Sequence, residues 1–412
     1  MLEIIKIAAR NLMRYKRRTL LVGALIALGV IAVQVFMAAS GSYKSLIVGQ
    51  ITDAMLGQMQ IHKKGYVVSI ENVPMNLNMM PHGVGIIEDI LKGIPEVEAY
   101  STRIRLGGVI SNFTETTNLR LYGIDPEKEF KTVPLLQKRI MEGSSELRRG
   151  QILVPQFLAK GLNITVGAPV VIIATNKDGS VNGQQFIVGG IVESAPGPGG
   201  RDGYIHITDA AELLRMEEPE VSEIAVHVKD FNRLDQVFEQ LTERLNKEKN
   251  TKGMPKFELH TWEKLSPFAN IAKMIDLMTV FIRIMLIAIV LISIMDVMIM
   301  SVYERTREIG TLAAIGTLPG RILAMFIVEG GLLGLFGVLA GTILSVVAVN
   351  AIRVSHYTFS FGMKEGFVLS PHMTPKDVVV VSLVVIVVSI LGSLHPAYKA
   401  SRLEPIKALK SV

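Results

Sequence analysis

Residues 301–320 read SVYERTREIGTLAAIGTLPG. Val302, Ile309, Leu312 and Ile315 recur at helical spacing, and Glu304, Arg305, Arg307 and Glu308 occupy the positions between them. The stretch is wedged between two apolar runs, 274–300 and 322–352. At about 1.5 Å per helical residue, each run is long enough to cross a hydrocarbon core about 30 Å thick. A charged amphipathic segment between two membrane spans is a surface for a partner; the plainer reading is a solvated loop held near the membrane by its apolar residues.

Working outward, 20–39 carries no charge and 378–394 is a fourth apolar run. Asp276, Arg283, Asp296 and Glu329 are the only charges in the last three runs. A mean hydropathy of +0.40 with 19% charged residues is too apolar for an ordinary soluble chain of 412 residues, yet not uniformly apolar as a many-span channel would be. The expected fold is an α-helical membrane protein with four transmembrane helices and a large α+β extracytoplasmic domain inserted between the first and second. In order, we expect an amphipathic helix on the cytoplasmic side at 1–18, transmembrane helices at 19–40, 274–300, 322–352 and 378–394, the inserted domain at 41–273, a coupling helix at 301–321, an extracytoplasmic loop at 353–377 and a cytoplasmic tail at 395–412.

Charge fixes the orientation. Segments 1–18, 301–321 and 395–412 together hold 13 Lys/Arg against 4 Asp/Glu, leaving 30 against 33 elsewhere. The net charge of +6 therefore belongs to the membrane flanks and argues against nucleic acid. By the positive-inside rule all three segments are cytoplasmic, which four spans permit only if the insert lies outside. Residues 3–18 place Ile4, Ile7, Ala8, Leu12 and Tyr15 on one helical stripe opposite basic residues, as in a helix lying on the inner leaflet. The small residues at 37–40 would suit a signal-peptidase cut, but the apolar run before them is longer than a signal peptide's, which favours an uncleaved anchor. With no Cys, redox chemistry says nothing about compartment.

In the insert, Ile224, Val226 and Val228, and also Ile205 and Ile207, alternate as strands do. Residues 209–216 read as a helix, and Leu234, Val237, Phe238, Leu241 and Leu245 mark the buried stripe of another. The turn-rich 176–183, NKDGSVNG, reads as the tip of a hairpin, and the Gly/Pro cluster 195–203 as a loop.

The coupling stretch resembles that of the FtsX/LolE/MacB type of ABC-transporter permease, closest to the lipoprotein-releasing branch. The pattern V-x-E-R-x-R-E-I-G-x-L-x-A-x-G is met by Val302, Glu304, Arg305, Arg307, Glu308, Ile309, Gly310, Leu312, Ala314 and Gly316. Gly123, Ile124, Asp125 and Pro126 look like a turn of that family's extracytoplasmic domain, and 186–192 followed by 202–214 like its strand, loop, strand and helix. Pro396, Ala397, Ala400, Arg402, Pro405, Ala408 and Leu409 are similar to its closing motif. The resemblance spans essentially the whole chain. It implies a multi-pass protein of the bacterial inner membrane with both termini cytoplasmic. Its implied partners are a dimer of ABC ATPase subunits that bind ATP and Mg, a second permease copy or homologue, and a periplasmic carrier or adaptor. Two departures qualify it: Ala313 stands where the family often has a basic residue, and the 176–183 hairpin is shorter than the one that docks a carrier in the lipoprotein-releasing branch.

The residues themselves offer no enzyme constellation. No G-x-x-x-x-G-K-[ST] occurs, so ATP has no phosphate loop in this chain and must be handled by another. None of the eight His falls in H-E-x-x-H and no G-x-S-x-G elbow occurs. Met55, Met59, Met75, Met79 and Met80 with His82 would be soft Cu(I) ligands, but without Cys or a repeat they read better as pliable apolar surface, and no cofactor or metal is expected. Met55, Leu56 and Met59, just beyond the first span, are the candidate opening for an amphiphile, with packing against the insert as the plainer reading. Gly330, Gly334, Gly337 and Gly341 share one helical face and allow close helix approach, within the chain or across a dimer. Asp296, Glu329 and Arg283 are costly in lipid and read first as paired structural charges, second as gating contacts. The expected function is that of a permease that extracts lipoproteins or other amphiphiles from the outer leaflet with a partner's ATP. The alternatives are MacB-like efflux, FtsX-like control of a cell-wall hydrolase and, outside the family, a membrane-anchored metal-binding protein.

Overall fold

A computed structural model describes residues 2–194, 200–361 and 364–404. Along the chain come α1 (Leu2–Arg14), α2 (Lys16–Ile51), β1 (Met59–Lys63), α3 (Pro81–Lys92), β2 (Val97–Ser111), β3 (Thr116–Ile124), α4 (Pro126–Thr132) and α5 (Pro134–Lys138). Then follow β4 (Ile140–Gly143), β5 (Gln151–Pro155), α6 (Gln156–Gly161), β6 (Pro169–Thr175), β7 (Val181–Val192), β8 (Asp202–His206), α7 (Ile207–Leu213) and β9 (Glu223–Val228). The remainder is α8 (Leu234–Leu245), β10 (Phe257–Thr261), α9 (Trp262–Leu265), α10 (Ala269–Glu304), α11 (Thr306–Ala314), α12 (Pro319–Val354), β11 (Thr358–Phe361), β12 (Lys364–Val368) and α13 (Pro375–Ser401). They form two compact units: 1–45 with 273–357 and 368–412, and 46–272 with 358–367.

The first unit is helical, and among the described residues four helices are long and apolar enough to cross a membrane. Its core is a column of branched side chains: Val22, Ile26 and Val30 of α2, Leu286, Val290 and Ile294 of α10, Phe326 and Leu333 of α12, Val381 and Val385 of α13. The outer faces are apolar as well, with Leu277, Phe281, Ile284 and Ile292 of α10 and Ile343 and Val347 of α12 exposed. Such all-round apolarity belongs to helices surrounded by lipid. The amphipathic segment breaks at Tyr15 rather than running to 18, so α2 already begins at Lys16. Ala8 of α1 is buried, and Ile4 and Leu12 pack on the bundle core, while Ile5, Ile7 and Met13 remain exposed. Three of the five residues of the stripe assigned to the leaflet, Ile4, Ala8 and Leu12, are therefore used by the bundle itself.

The second unit is a mixed sheet with helices against it. β2, β3, β8, β5, β7 and β6 pair in turn, and β6 returns to β2, closing a ring of six strands. The β3–β8 and β5–β7 pairs are parallel and the rest of the ring antiparallel. The ring is closed by the length of β2, which pairs with β9 through its first half and with β6 through its second. Ile104, Leu106, Leu121, Ile152, Val170, Ile172, Phe186 and Ile205 fill the core. β9, β1 and β10 extend the sheet beyond β2, and β4 extends it beyond β7.

Two local expectations are corrected. Ile207 is not a strand residue: the His206 ring accepts the Thr208 backbone N–H and caps α7, which runs over 207–213 instead of 209–216. β9 is buried on both faces at Ile224, Ala225 and Val226, because it is an inner strand between β1 and β2. The 176–183 hairpin is present as β6–β7, tightened by Asn176 N–H donating to the Ser180 carbonyl at 2.7 Å. Residues 195–199 of the expected loop, and Pro405, Ala408 and Leu409 of the closing motif, lie outside the described residues.

Candidate functional site

The 301–320 segment is two helical pieces joined by a break. α10 ends at Glu304, Arg305 leaves the helical region at φ −108°, α11 occupies 306–314, and Gly316 at φ +92° supplies the left-handed turn before Pro319 opens α12. The expected continuous coupling helix at 301–321 is thus corrected to a short helix between two hinges.

The pattern residues divide by the direction they face. Val302, Ile309 and Gly310 are buried, the first two in the bundle core. Glu304, Arg307, Glu308, Leu312, Ala314 and Gly316 are exposed, as are Tyr303, Ile315 at 78% and Leu318 at 63%. Arg305, expected on the partner-facing surface, is only 4% exposed. Its Nη1 donates to Glu329 Oε2 of α12 at 3.1 Å, its Nε to Glu308 Oε2 at 3.2 Å, and its guanidinium lies 5.5 Å from the Phe326 ring. The physical reason is depth: the break at 305 turns this side chain inward, where Glu329 is its counter-charge. Arg14 reaches Glu308 at 3.0 Å and Arg18 reaches Glu304 at 2.9 Å. The segment is therefore tied to α1 and α2 at its outer edge and to α12 at its root. No signal in the sequence marked the pairings with Glu329, Arg18 and Arg14, because those partners lie 24 to 294 residues apart.

Of the other intramembrane charges, Arg283 faces Asp377 of α13 at 3.8 Å and Asp276 binds Lys44 of α2 at 2.6 Å. Asp296 is exposed on α10 and makes no ion pair among the described residues. The glycine stripe serves two helices. A Cβ on Gly330 would come within 2.5 Å of Ser393 of α13, and Gly334 sits as tightly on Ser389; at Gly337 it would meet Ile26 of α2 at 2.5 Å, and at Gly341 Val30 at 2.8 Å. All four close approaches are internal to the chain.

In the second unit, Met55 and Leu56 line a cavity of about 280 Å³. Met59 does not join them: Gly57, at φ +82°, ends the helical turn of 52–56, and Met59 is fully buried on β1 opposite Thr261 and Val226. Helical spacing from the first span fails because the chain changes to strand at 59. Met79 is also core, whereas Met75 and Met80 line a different cleft, so these methionines do not gather into one soft-metal site. The cavity wall includes a buried ion cluster. Arg103 donates to Glu129 through Nη2 at 2.6 Å and to Glu223 through Nη1 at 3.0 Å. Burial alone would raise Glu223, but His62, 3.9 Å away, and the Arg103 charge hold its carboxyl down at about 2. Burial pushes Asp202 up to about 6 despite Arg120 at 2.6 Å.

Comparison with known proteins gives two family matches that together cover most of the chain. Residues 19–244 match the family model of the MacB-like periplasmic core domain, and residues 280–405 that of the FtsX-like permease C-terminal domain. The chain belongs to this family of ABC-transporter permeases, and it is a multi-pass membrane protein. It is similar to the lipoprotein-releasing system transmembrane protein LolC of Xylella fastidiosa, 25% identical over 70% of this chain and 72% of that one. LolC of Neisseria meningitidis is 24% identical over 93% of this chain and 92% of its own length. The macrolide export ATP-binding/permease protein MacB 1 of Aeromonas hydrophila is 31% identical over 28% of this chain and 16% of its own.

Proposed function

We propose that this chain is the membrane subunit of an ABC transporter that transmits an ATPase's motion to the domain inserted after its first span, and so extracts lipoproteins or similar amphiphiles from the outer leaflet of a bacterial inner membrane. The observation that carries the reading is the coupling segment: a short helix between hinges, with exposed Leu312, Ile315 and Leu318 beside Glu304 and Glu308, rooted in the bundle by Arg305 and Glu329. An apolar tip with a charged rim is what a protein interface needs. A push on α11 reaches α12 through that ion pair and α1 and α2 through Arg14 and Arg18.

The lipoprotein assignment is supported by the LolC relatives, which align over most of both chains, whereas the MacB relative aligns over 115 residues. The charge bias of the flanks supports cytoplasmic termini. ATP and Mg belong to the partner ATPase dimer, and a second permease copy or homologue completes the transporter. Ile315→Asp with Leu318→Asp is the test of docking. Both side chains are exposed, so the double variant inserts and folds normally while the ATPase no longer co-purifies; undiminished co-purification would show that the ATPase docks elsewhere.

A further inference from the structure

The 280 Å³ cavity of the second unit is lined by three arginines, Arg103, Arg105 and Arg120, one of which has an unsatisfied nitrogen. Arg103 is taken by Glu129 and Glu223, and Arg120 by Asp202. Arg105, the third arginine of the lining, is 8% exposed, and its Nε has no hydrogen-bond partner. No carboxylate stands within ion-pairing distance of it among the described residues, although Glu223 and Asp202 lie near enough to act on its charge; the Tyr122 ring lies 5.9 Å from the guanidinium carbon. A buried guanidinium nitrogen without a hydrogen-bond partner is costly, and the planar fork suits an oxyanion. The lining also includes the apolar Ile51, Met55, Leu56, Ile70 and Phe268. The volume lies near the lower end for small-molecule sites, so it fits a headgroup and the first few carbons of a chain rather than a whole lipid.

We infer that this cavity binds the anionic head of an amphiphile, a phosphate or carboxylate set on Arg105 with its adjoining hydrocarbon against Met55, Leu56 and Phe268. This deepens the amphiphile reading above by giving the ligand a place in the inserted domain. The two stand or fall separately, because binding to the chain alone requires no ATPase.

The test is titration calorimetry of the full chain in phosphatidylcholine nanodiscs, with empty discs subtracting partition into lipid. The probes are hexyl phosphate, hexanoate, inorganic phosphate and hexan-1-ol. Hexyl phosphate or hexanoate should bind saturably, and whichever binds more tightly identifies the source as phosphate ester or carboxylate. Inorganic phosphate and hexan-1-ol should each bind at least about tenfold more weakly, since each satisfies only half of the site, a factor worth about 1.4 kcal/mol. Arg105→Met should weaken the amphiphile at least about tenfold and Arg105→Lys much less. Ile70→Phe, which fills the cavity and leaves Arg105 in place, should also weaken it and guards against a misfolded Arg105 variant. Absence of saturable binding, inorganic phosphate binding as tightly as the amphiphiles, or unchanged affinity in Arg105→Met and Ile70→Phe would overturn the inference.

Discussion

Arg305 is held on three sides, by Glu329, Glu308 and the Phe326 ring, which gives one residue of the coupling pattern a structural rather than a docking role. Breaking a buried pair by removing one partner costs about 3–5 kcal/mol, because the other charge stays buried. Arg305→Met should therefore lower the melting temperature of the purified chain, and Glu329→Leu added to it should restore most of the loss. Arg307→Glu, at an exposed position, should leave it within error. An unchanged melting temperature in Arg305→Met would contradict the buried pair. A second residue-scale prediction concerns acid. His260 is 7% exposed with Nδ1 unpartnered; burial, opposed by Glu258, depresses its pKa to about 4. Between about pH 6.5 and 4 the unfolded chain takes up a proton that the folded chain refuses, so stability falls as pH falls through that window. Asp202 works the other way, since a carboxyl raised to about 6 favours the folded state as pH drops from 6 towards 4. His260→Gln removes the unfavourable member, and at pH 5 relative to pH 7 it should gain about 1 kcal/mol over the parent, allowing for partial solvent access. Urea melts followed through Trp262, the single tryptophan, measure it.

At the scale of elements, packing explains the glycine stripe of α12: its lower pair seats α13 and its upper pair seats α2. Gly337→Val should force Ile26 aside and cost 1–3 kcal/mol by overpacking, roughly, with a matching fall in folded yield, whereas Gly320→Ala, which meets open space, should be silent. Equal behaviour of the two variants would refute the close approach. The four long helices and the charged stretch between two of them were legible because hydropathy and charge are local properties of sequence. The stripe was legible as a close-packing face, but which helix it met was not, since four glycines carry no address. The 301–321 helix was read as continuous because periodicity survives a one-residue break, and the inward turn of Arg305 depends on Glu329, 24 residues away. Met59 was misplaced for a related reason: the Gly57 turn that converts helix to strand has no hydrophobic signature. The cavity was invisible, because its arginines come from neighbouring strands whose pairing only the closed ring determines.

For the whole molecule, the proposal requires that the inserted domain and the coupling segment lie on opposite sides of the membrane. Cys placed at Ser180, in the β6–β7 turn, and at Ser411, outside the described residues, should respond differently to an impermeant thiol reagent in intact cells, with only the first labelled. The chain has no native Cys to confuse the assay, and labelling at Ser411 would contradict four spans with inward termini. The most direct test of the central claim is ATP-dependent release in proteoliposomes that contain this chain and its ATPase partner. The account predicts that a fluorescent acylated peptide leaves the bilayer for a soluble acceptor only with hydrolysable ATP, and that Ile315→Asp with Leu318→Asp abolishes release. Steady ATP hydrolysis without release of any acylated probe, or release indifferent to ATP and to that double variant, would contradict it.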